Sequence, residues 1–392
     1  MDIGFITEDL KALRAQFVAS GFDLRLVGGV VRDTVAGIPA KDIDLCTDAS
    51  PEQQIEIYHQ HGYRAIPTGL QHGTITVVLD GTPYEITSLR IDVKTDGRHA
   101  EVEFTNDWHA DLARRDLTIN AMSMTFDGEI YDPFGGQQDL QDRVVRFVGD
   151  AEQRIQEDYL RILRCIRFMG RFGDTNRIDH ITWSAMVKNA SGLKTISRER
   201  VWAEVQKIAV HDSGPFLMGT IQQLVGISDY IGLPGGNGNG GIDRAKAVKS
   251  GQQCTRSPEL LMGFWCGWDE KEIIKLATDW KWSRAETDHV EWVIANVFMG
   301  RDLRRLIAID GAPREWVVEL AKIEERDEFS MFVAEHWVFE PFPVTGNDLI
   351  AQGIKPGKAL GEILRTMKDD WASSGYKKTK DQLLAQLTSS IQ

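Results

Sequence analysis

The chain has 392 residues, a net charge of −13 and 42% hydrophobic residues, a composition that excludes a disordered chain, a disulfide miniprotein and a collagen-like repeat. The four cysteines lie far apart and no apolar stretch approaches about 18 residues, so neither a disulfide framework, a structural zinc site nor a transmembrane helix is expected. The acidic N-terminal residues do not resemble a signal or transit peptide, which predicts a cytoplasmic protein without a membrane partner.

The charge is distributed unevenly along the chain. Residues 154–207 carry 11 basic against 6 acidic side chains, and residues 353–380 carry 7 against 3. Because a basic footprint is typical of nucleic-acid binders, the acidic total argues against that class. The two basic islands could nevertheless line one phosphate-binding surface, or they could be ordinary solvated helix faces.

Periodicity and turn signals divide the first 150 residues into short helices and strands. Asp80-Gly81 lies between two β-rich segments, which predicts a hairpin. The expected elements, in chain order, are a helix over 5–20, a strand over 24–29, a helix over 30–37, a strand over 42–45, a helix over 51–62, strands over 74–79 and 84–87, and a second hairpin over 121–132. This part of the chain is therefore predicted to be α+β with a small sheet.

After about residue 150 the pattern becomes helical and stays so to the end of the chain. Apolar side chains at i, i+3, i+4, i+7 and i+10 predict a helix stripe from Tyr159 to Met169. The Gly-rich segment 233–241 predicts a linker or a long loop, and it lacks the Gly-Lys-Ser/Thr of a P-loop. The Pro- and Gly-rich segment 340–346 predicts a second break.

Two carboxylates separated by one residue, Asp42 and Asp44, lie in a segment that alternates acidic and apolar residues. On a strand this spacing places both on one face, where a shared cation would relieve their repulsion. Hard oxygen ligands favour Mg²⁺, which also takes phosphate oxygens as ligands. The alternative is an exposed edge strand whose charges discourage aggregation, and metal-dependent glycosyltransferases also use such a D-x-D pair.

A phosphate-binding turn is predicted just upstream of these carboxylates. Gly28 and Gly29 leave backbone N–H groups approachable at the start of a helix, which is a natural cradle for phosphate. Arg32 follows one helical turn later and could clamp a phosphate bidentately, whereas Asp33 is expected to orient Arg32 or the turn. The combination of strand, Gly-Gly, Arg-Asp and D-x-D predicts a metal and nucleotide site.

This segment, LVGGVVRDTVAGIPAKDIDLCT over 26–47, resembles the signature of the nucleotidyltransferases of the DNA polymerase β superfamily. More narrowly, it is similar to the class II tRNA nucleotidyltransferases, the CCA-adding enzymes, and to the related bacterial poly(A) polymerases. Further segments resemble motifs of that family in the same order: RRDLTINAMS (114–123), DPFGGQQDLQDRVVR (132–146), EDYLRILRCIRF (157–168), ISRERVWAE (196–204) and GIKPGKALGEIL (353–364).

The resemblance implies how the first part of the chain binds a nucleotide. Arg115 is expected to reach it, with Asp116 and Asn120 shaping the sugar site, and an Arg–Asp pair within Arg114-Arg115-Asp116 could fix one guanidinium. The alternative is a salt bridge at a helix start. Glu85, in the middle of a β-rich segment, resembles a third superfamily carboxylate that supports the metals or activates the primer hydroxyl; otherwise it is an exposed strand position.

The segment 157–168 resembles the motif that selects the incoming base. Asp158 and Arg161, at i and i+3, are expected to be neighbours on a helix surface and to present an acceptor and a donor to the Watson–Crick edge of C or A. Arg164 and Arg167 continue the stripe and could reach base or phosphate. The alternative is an i,i+3 ion pair on a solvated helix face.

Two further segments concern the product and the RNA. Residues 87–104 resemble the flexible loop that the family needs to change from C to A addition, and their full length favours complete CCA addition. Lys355, in a Gly/Pro turn, and Lys358, at the following helix start, are predicted to bind tRNA. The alternatives are a plain surface loop and ordinary solubility charges.

The sequence thus predicts an enzyme that adds CCA to the 3′ ends of tRNA without a template. It would use CTP and ATP, release pyrophosphate and hold two Mg²⁺ ions at Asp42 and Asp44; no protein partner is implied. The alternatives are a bacterial poly(A) polymerase, a partial CC-adding or A-adding enzyme, and a non-catalytic tRNA-binding protein. The expected domains are a catalytic polymerase β-like head over 1–150, a helical base-selecting neck over 151–215, a helical body over 216–340 and a helical tail at the tRNA elbow over 341–392.

Overall fold

The computed structural model describes residues 3–40, 42–95, 100–174, 177, 179–223, 227–234 and 240–390. The chain forms two compact units: Met1–Ala245 with Asp279–Lys281, and Lys246–Thr278 with Trp282–Gln392. The strands are β1 (Leu24–Val27), β2 (Asp44–Thr47), β3 (Arg64–Gly69), β4 (Thr74–Leu79), β5 (Thr82–Ser88), β6 (Arg90–Thr95), β7 (Ala100–Phe104), β8 (Ser123–Met124) and β9 (Ile130–Tyr131). The helices are α1 (Glu8–Ala19), α2 (Gly29–Val35), α3 (Pro51–Gln60), α4 (Trp108–Ala113), α5 (Gly136–Asp142), α6 (Ala151–Glu157), α7 (Arg161–Phe172), α8 (His180–Asn189), α9 (Arg198–Ala209), α10 (Gly214–Gln223), α11 (Ile227–Ile231), α12 (Gly240–Cys254), α13 (Pro258–Trp265), α14 (Glu270–Asp279), α15 (Arg284–Asn296), α16 (Leu303–Ala308), α17 (Arg314–Ile323), α18 (Glu328–His336), α19 (Gly346–Ala351), α20 (Lys358–Ser373) and α21 (Lys380–Ser390).

Seven strands form the sheet of the first unit. Their order is β3-β4-β5-β2-β1-β8-β9, and adjacent strands are antiparallel except for β2 and β5, which run parallel. The sheet shares an apolar core with α1 and α3 through side chains such as Leu13, Phe17 and Tyr58. Full burial of a side chain such as Leu13 contributes about 1.5–3 kcal/mol to folding. The predicted α+β head with a small mixed sheet, followed by helices, is confirmed.

Two local signals work as predicted. Asp80 and Gly81 join the antiparallel strands β4 and β5 with φ angles of 45° and 78°, the conformation of a two-residue type I′ turn. The helix expected from Pro51 is α3, in which Ser50 and Gln53 form a capping box and Pro51 occupies the first turn. The hairpin and the helix start therefore follow from sequence alone.

The segment 87–104, predicted to be a flexible loop, contains two strands, and its flexibility stays a prediction. It contains the two-stranded antiparallel sheet of β6 and β7, and its tip, residues 96–99, lies outside the described residues. The structure therefore corrects a loop to a hairpin.

Two other strands differ from the prediction. β3 is absent from the predicted elements because it is largely exposed and contains Pro67, so it lacks the apolar alternation of a half-buried strand. β2 begins at Asp44, two residues later than predicted, and Asp42 lies in the bend before it. The predicted strand boundary is therefore wrong, since only Asp44 belongs to a strand, and the shared face of the two carboxylates stays a prediction.

The segment 157–168 is not one continuous helix. α6 ends at Glu157, Asp158 is extended with φ −156° and ψ 104°, and α7 begins at Arg161. The Asp158 carboxylate accepts the N–H of Leu160 at 3.2 Å, a local side-chain bond of the kind that competes with helix formation. Asp158 and Arg161 are therefore neighbours through a turn and not, as predicted, on a helix surface.

In its described part, the second unit contains helices and no strand. The predicted break at 340–346 lies between helices, because α18 ends at His336 and α19 begins at Gly346. Residues 235–239 of the Gly-rich segment lie outside the described residues. Of the helices that the structure describes, none is long and apolar enough to cross a membrane.

A buried charged cluster joins three helices of the second unit. His289 on α15 contacts Glu259 on α13 through Nδ1 at 2.8 Å and Glu319 on α17 through Nε2 at 3.2 Å. Its ring stacks on Trp316, with the centroids 4.7 Å apart. Burial lowers the pKa of His289, but the two carboxylates outweigh burial and raise it to about 9. The imidazole is therefore charged at neutral pH and compensates the carboxylates.

We expect the stability of the chain to fall as the pH rises from 6.5 to about 9. A histidine whose pKa is raised by folding stabilises the folded state fully below its unfolded pKa, and the contribution is lost as the pH passes the folded pKa. The unfolding temperature measured by calorimetry should drop by roughly 3–6 °C over this range. The His289→Gln variant should lack this part of the drop; an equal drop in both proteins would contradict the assigned charge.

Candidate active site

One cleft in the first unit brings together most of the predicted site residues. It has a volume of about 430 Å³ and is lined by Gly28, Gly29, Arg32, Asp44, Arg114, Arg115, Asp116, Asn120, Arg161, Arg164 and Phe168. Five of these side chains are guanidiniums and two are carboxylates, so the wall is cationic within a chain of net charge −13. Such a wall suits a polyanion that accepts hydrogen bonds, as a triphosphate does.

The predicted acidic residues lie on and before two neighbouring strands. Asp44 pairs in register with Glu85 of the parallel strand β5, so the two side chains share a face of the sheet. Asp42, Asp44 and Glu85 are exposed, and none of their carboxylates has a hydrogen bond or ion pair with another described residue. Partial burial raises the pKa of Asp44; Arg115 opposes this, and the nearby charge of Asp42 adds to it.

These carboxylates fit a divalent cation that is shared with a substrate. Within the described ranges, no group of three or more His, Cys, Asp and Glu side chains is placed to hold a metal ion. Mg²⁺, however, is usually held by one or two carboxylates together with substrate phosphates rather than by a complete protein cage. The repulsion between Asp42 and Asp44, which raises the pKa of Asp44, is the charge pattern that such a cation relieves.

Gly28 adopts a backbone conformation that strongly favours glycine. Its φ is 67° and its ψ −119°, and a Cβ at this position would lie 2.7 Å from Nη1 of Arg115. Its N–H donates to the carbonyl of Met122 at 3.1 Å, so this group is not available to a phosphate. The predicted cradle would therefore depend on Gly29, where α2 begins, and on the residues after it.

Arg32 is held on several sides by protein groups. Its Nε and Nη2 contact Oδ1 of Asp33 at 2.8 Å, and its Nη1 donates to Oδ1 of Asn120 at 2.7 Å. The guanidinium also lies 4.9 Å and 4.8 Å from the ring centroids of Phe168 and Phe172. Asp33 therefore orients Arg32 as expected, and the phosphate clamp by Arg32, which lines the cleft, stays a prediction.

The positive charges of Arg114 and Arg115 are paired with a carboxylate outside the segment Arg114-Arg115-Asp116. Both contact Asp111, one turn earlier on α4, Arg114 at 2.8 Å and Arg115 at 3.3 Å. The predicted Arg–Asp pair inside the triplet is wrong, because both arginines pair with Asp111 at i,i+3 and i,i+4, positions that meet on a helical turn.

Asp116 instead joins the head to α7. Its Oδ2 accepts from Nε and Nη2 of Arg164 at 2.8 and 2.6 Å, and its Oδ1 accepts from Nδ2 of Asn120 at 3.1 Å. Burial by itself raises the pKa of Asp116, but Arg164 and Asn120 outweigh it and lower the pKa below its ordinary value. Asp116 and Asn120, the predicted sugar-site residues, are therefore in contact and are fixed from the neck.

Asp158 and Arg161 are held by separate partners. Oδ2 of Asp158 accepts from Nη2 of Arg200 on α9 at 2.7 Å. Nη1 of Arg161 donates to Glu157 at 2.7 Å and to the carbonyl of Arg154 at 2.9 Å. The alternative of a simple ion pair between Asp158 and Arg161 is therefore wrong. Arg161 lines the cleft, whereas Asp158 lies just before the start of α7.

The remaining predicted residues lie outside the cleft wall. Arg167 contacts Oε2 of Glu204 at 3.0 Å and stacks on Phe168 at 4.4 Å. Lys355 and Lys358 belong to the second unit, where both are exposed. Lys358 is the first residue of α20, so the predicted turn before a helix is confirmed, and tRNA contact stays a prediction.

Known proteins resemble this chain over most of its length. A family model described as "Poly A polymerase head domain" matches residues 24–146, and one described as "Probable RNA and SrmB- binding site of polymerase A" matches residues 177–214. Human "CCA tRNA nucleotidyltransferase 1, mitochondrial" is 40% identical over 97% of this chain and 89% of its own length. The CCA-adding enzyme of Bacillus cytotoxicus is 30% identical over 94% of this chain and 92% of its own length.

This chain belongs to the CCA-adding tRNA nucleotidyltransferase family. A solved structure extends the likeness to the fold: the Bacillus stearothermophilus CCA-adding enzyme in complex with CTP matches with a TM-score of 0.81 at 26% identity, over 100% of this chain and 98% of that one. The predicted family, and with it the expectation of a nucleotidyltransferase enzyme, is confirmed.

Sequence reasoning missed three residues that shape the site of this CCA-adding family member. Phe168 packs against the guanidiniums of the cleft residues Arg32 and Arg164, and against that of Arg167 outside the cleft wall. Asp111 carried a usable signal, an acidic residue three and four positions before two arginines in a helical segment. Arg200 carried none, because its partner Asp158 lies 42 residues away in the chain.

Gly28→Ala is expected to weaken CTP binding to this CCA-adding family member. A non-glycine residue held in this conformation costs roughly 1–3 kcal/mol, and the new Cβ would displace the Arg115 guanidinium. Gly361→Ala is the matched control, because a Cβ at that position of α20 meets nothing within 4 Å. Equilibrium titration with CTP measures the effect; wild-type affinity in Gly28→Ala would show that the close approach of Gly28 and Arg115 is not required.

Proposed function

We propose that this chain adds CCA to the 3′ ends of tRNA, using CTP and ATP and releasing pyrophosphate. The observation that carries the proposal is a cleft in which five guanidiniums lie beside the exposed carboxylate of Asp44. The human and Bacillus cytotoxicus relatives are named for CCA addition, and the Bacillus stearothermophilus structure holds CTP. In the reaction the 3′-oxygen of tRNA bonds to the α-phosphorus, and the bond from that phosphorus to pyrophosphate breaks.

The carboxylates of Asp42 and Asp44 would be the protein ligands of Mg²⁺. When bound, the two cations activate the attacking hydroxyl and stabilise the leaving oxygen. Glu85 supports the metals or accepts the hydroxyl proton, and its register with Asp44 suits both roles. Arg115 is assigned to the nucleotide, and its position in the wall of the cleft that Asp44 also lines supports this assignment.

Recognition of the sugar and the base is assigned to the junction of head and neck. Asp116 and Asn120 shape the sugar site, and Arg164 fixes the Asp116 carboxylate. Asp158 and Arg161 read the base, and their separate partners hold the acceptor and the donor in place before a nucleotide enters. A fixed acceptor and donor favour C and A over bases that present the opposite pattern.

The other partners and the domain roles belong to the same proposal. The exposed lysines Lys355 and Lys358 are assigned to tRNA, and the head, neck, body and tail keep the boundaries given above. A cytoplasmic location is also part of the proposal, although the human relative is mitochondrial by its name. A poly(A) product, which the description of the matching head model suggests, is the alternative that the product assay decides.

The assay uses a tRNA transcript without its 3′ CCA, Mg²⁺, and CTP and ATP separately and together, read on a sequencing gel. Growth to the complete CCA end, followed by a stop, is expected. Asp44→Asn, which keeps the volume but removes the charge, should slow CTP incorporation by about a hundredfold or more.

Asp80→Asn is the matched control in this assay. Asp80 is an exposed carboxylate in the turn between β4 and β5, and its φ of 45° suits asparagine. It should react at the wild-type rate. Near wild-type CTP incorporation by Asp44→Asn would contradict the metal assignment, whereas long A tails with ATP alone would identify a poly(A) polymerase.

A further inference from the structure

A buried carboxylate of the head contacts both arginines of the Arg114-Arg115 pair. Asp111 on α4 is fully buried, and its Oδ1 contacts Nη2 of Arg114 at 2.8 Å and accepts the N–H of Arg90 at 3.3 Å. Its Oδ2 accepts from Nη2 of Arg115 at 3.3 Å. One carboxylate therefore serves two guanidiniums, and both of these line the cleft.

The charges make this arrangement depend on Asp111. Two guanidiniums on adjacent residues repel, and a buried charge without a partner is costly. Burial by itself raises the pKa of Asp111, but Arg115 and Arg114 outweigh it and hold the pKa below its ordinary value. The carboxylate is therefore ionised at neutral pH and neutralises one of the two positive charges.

Asp111 is the salt-bridge partner of Arg115. Within the described part of the chain, the side-chain contacts of its guanidinium are with Asp111 and, more distantly, with the sulfur of Cys46 at 3.9 Å. Its Nε is buried and has no hydrogen-bond partner among the described residues. Loss of the Asp111 charge would therefore leave Arg115 without a salt bridge among the described residues, with Asp44 and Asp116 acting on it only at longer range.

We propose that Asp111 is a positioning residue for nucleotide binding, whose charge holds Arg114 and Arg115 in the cleft wall. The inference rests on the role proposed above for Arg115. Asp111 is fully buried and does not line the cleft, so it acts through the two guanidiniums and not by touching the nucleotide. Nucleotide affinity should therefore depend on the charge of residue 111 and not only on its volume.

The test is equilibrium binding of CTP and of ATP to the full chain with substitutions at Asp111. Asp111→Asn keeps the volume and an acceptor for the N–H of Arg90, but it removes the charge. It should raise the Kd of both nucleotides about tenfold or more, and by the same factor, because these guanidiniums are not assigned to base reading. Asp111→Glu keeps the charge and should restore part of the affinity.

A double-mutant cycle with Arg115→Gln distinguishes positioning from general loss of stability. If Asp111 acts through the two arginines, Asp111→Asn should raise the Kd by a smaller factor in the Arg115→Gln background than in the wild type, because only Arg114 is then left for Asp111 to hold. Glu259→Gln is the matched control, because Glu259 is also a buried carboxylate with an ionic partner but belongs to the second unit. It should lower the unfolding temperature and leave the Kd unchanged.

The outcomes separate this inference from the proposed function. A wild-type Kd in Asp111→Asn, with only the lower unfolding temperature seen in Glu259→Gln, overturns the inference; so do additive effects of Asp111→Asn and Arg115→Gln. A wild-type Kd in Arg115→Gln instead removes the proposed role of Arg115. If Asp111→Asn does not fold, the cycle is run with Asp111→Glu, and the same comparison with Arg115→Gln decides.

Discussion

The site depends on one constraint: five guanidiniums lie close together in a small and partly buried cleft, and their charges must be compensated by carboxylates. Breaking a buried ion pair costs about 3–5 kcal/mol, since it leaves an uncompensated charge. The pairs are Arg32 with Asp33, Arg114 and Arg115 with Asp111, Arg161 with Glu157, Arg164 with Asp116, and Arg167 with Glu204. Because Asp111 serves two arginines, the cleft keeps a positive surplus that suits a triphosphate.

The same contacts join the head to the neck helix α7. Asp116 forms an ion pair with Arg164, and Asp33 forms one with Arg171 at 3.1 Å. Two ion pairs therefore connect the head to α7 within the first unit. Phe168, on the same helix, stacks against Arg32 from the head. The proposed sugar site and the proposed base-reading residues are therefore held by one network. A change in one ion pair should alter the position of side chains in both sites.

Features encoded by neighbouring residues could be predicted from the sequence. Asp80-Gly81 predicted its hairpin because both positions of a type I′ turn need positive φ. The D-x-D pair identified the exposed carboxylates Asp42 and Asp44, although β2 begins only at Asp44. The interruption before α7 was missed because helical periodicity does not register one side-chain bond from Asp158 to a backbone N–H. A hydrogen bond from a single side chain to the backbone can interrupt a helix that the apolar periodicity predicts, and tertiary contacts determine which of the two forms.

Ion-pair partners were the least predictable part of the site. Asp111, Glu157 and Arg200 each hold a predicted site residue, yet only partners within one helical turn leave a pattern in the sequence. The Arg–Asp pair expected inside Arg114-Arg115-Asp116 is wrong because Asp111, one turn earlier, pairs with the arginines and Arg164 on α7 pairs with Asp116; of these two partners only Asp111 leaves a pattern in the sequence. The motifs identified the candidate site residues, but ion pairs with residues distant in the chain determine how each side chain is oriented.

Competition between CTP and ATP for binding tests most directly the central claim that one cationic cleft receives both nucleotides. The full chain, with Mg²⁺, would be titrated with CTP at increasing concentrations of ATP, and the stoichiometry and apparent Kd would be measured by calorimetry. The account predicts one CTP per chain, with an apparent Kd that rises in proportion to ATP as the two displace each other. A CTP affinity that does not respond to ATP, or simultaneous binding of both nucleotides to one chain, would contradict it.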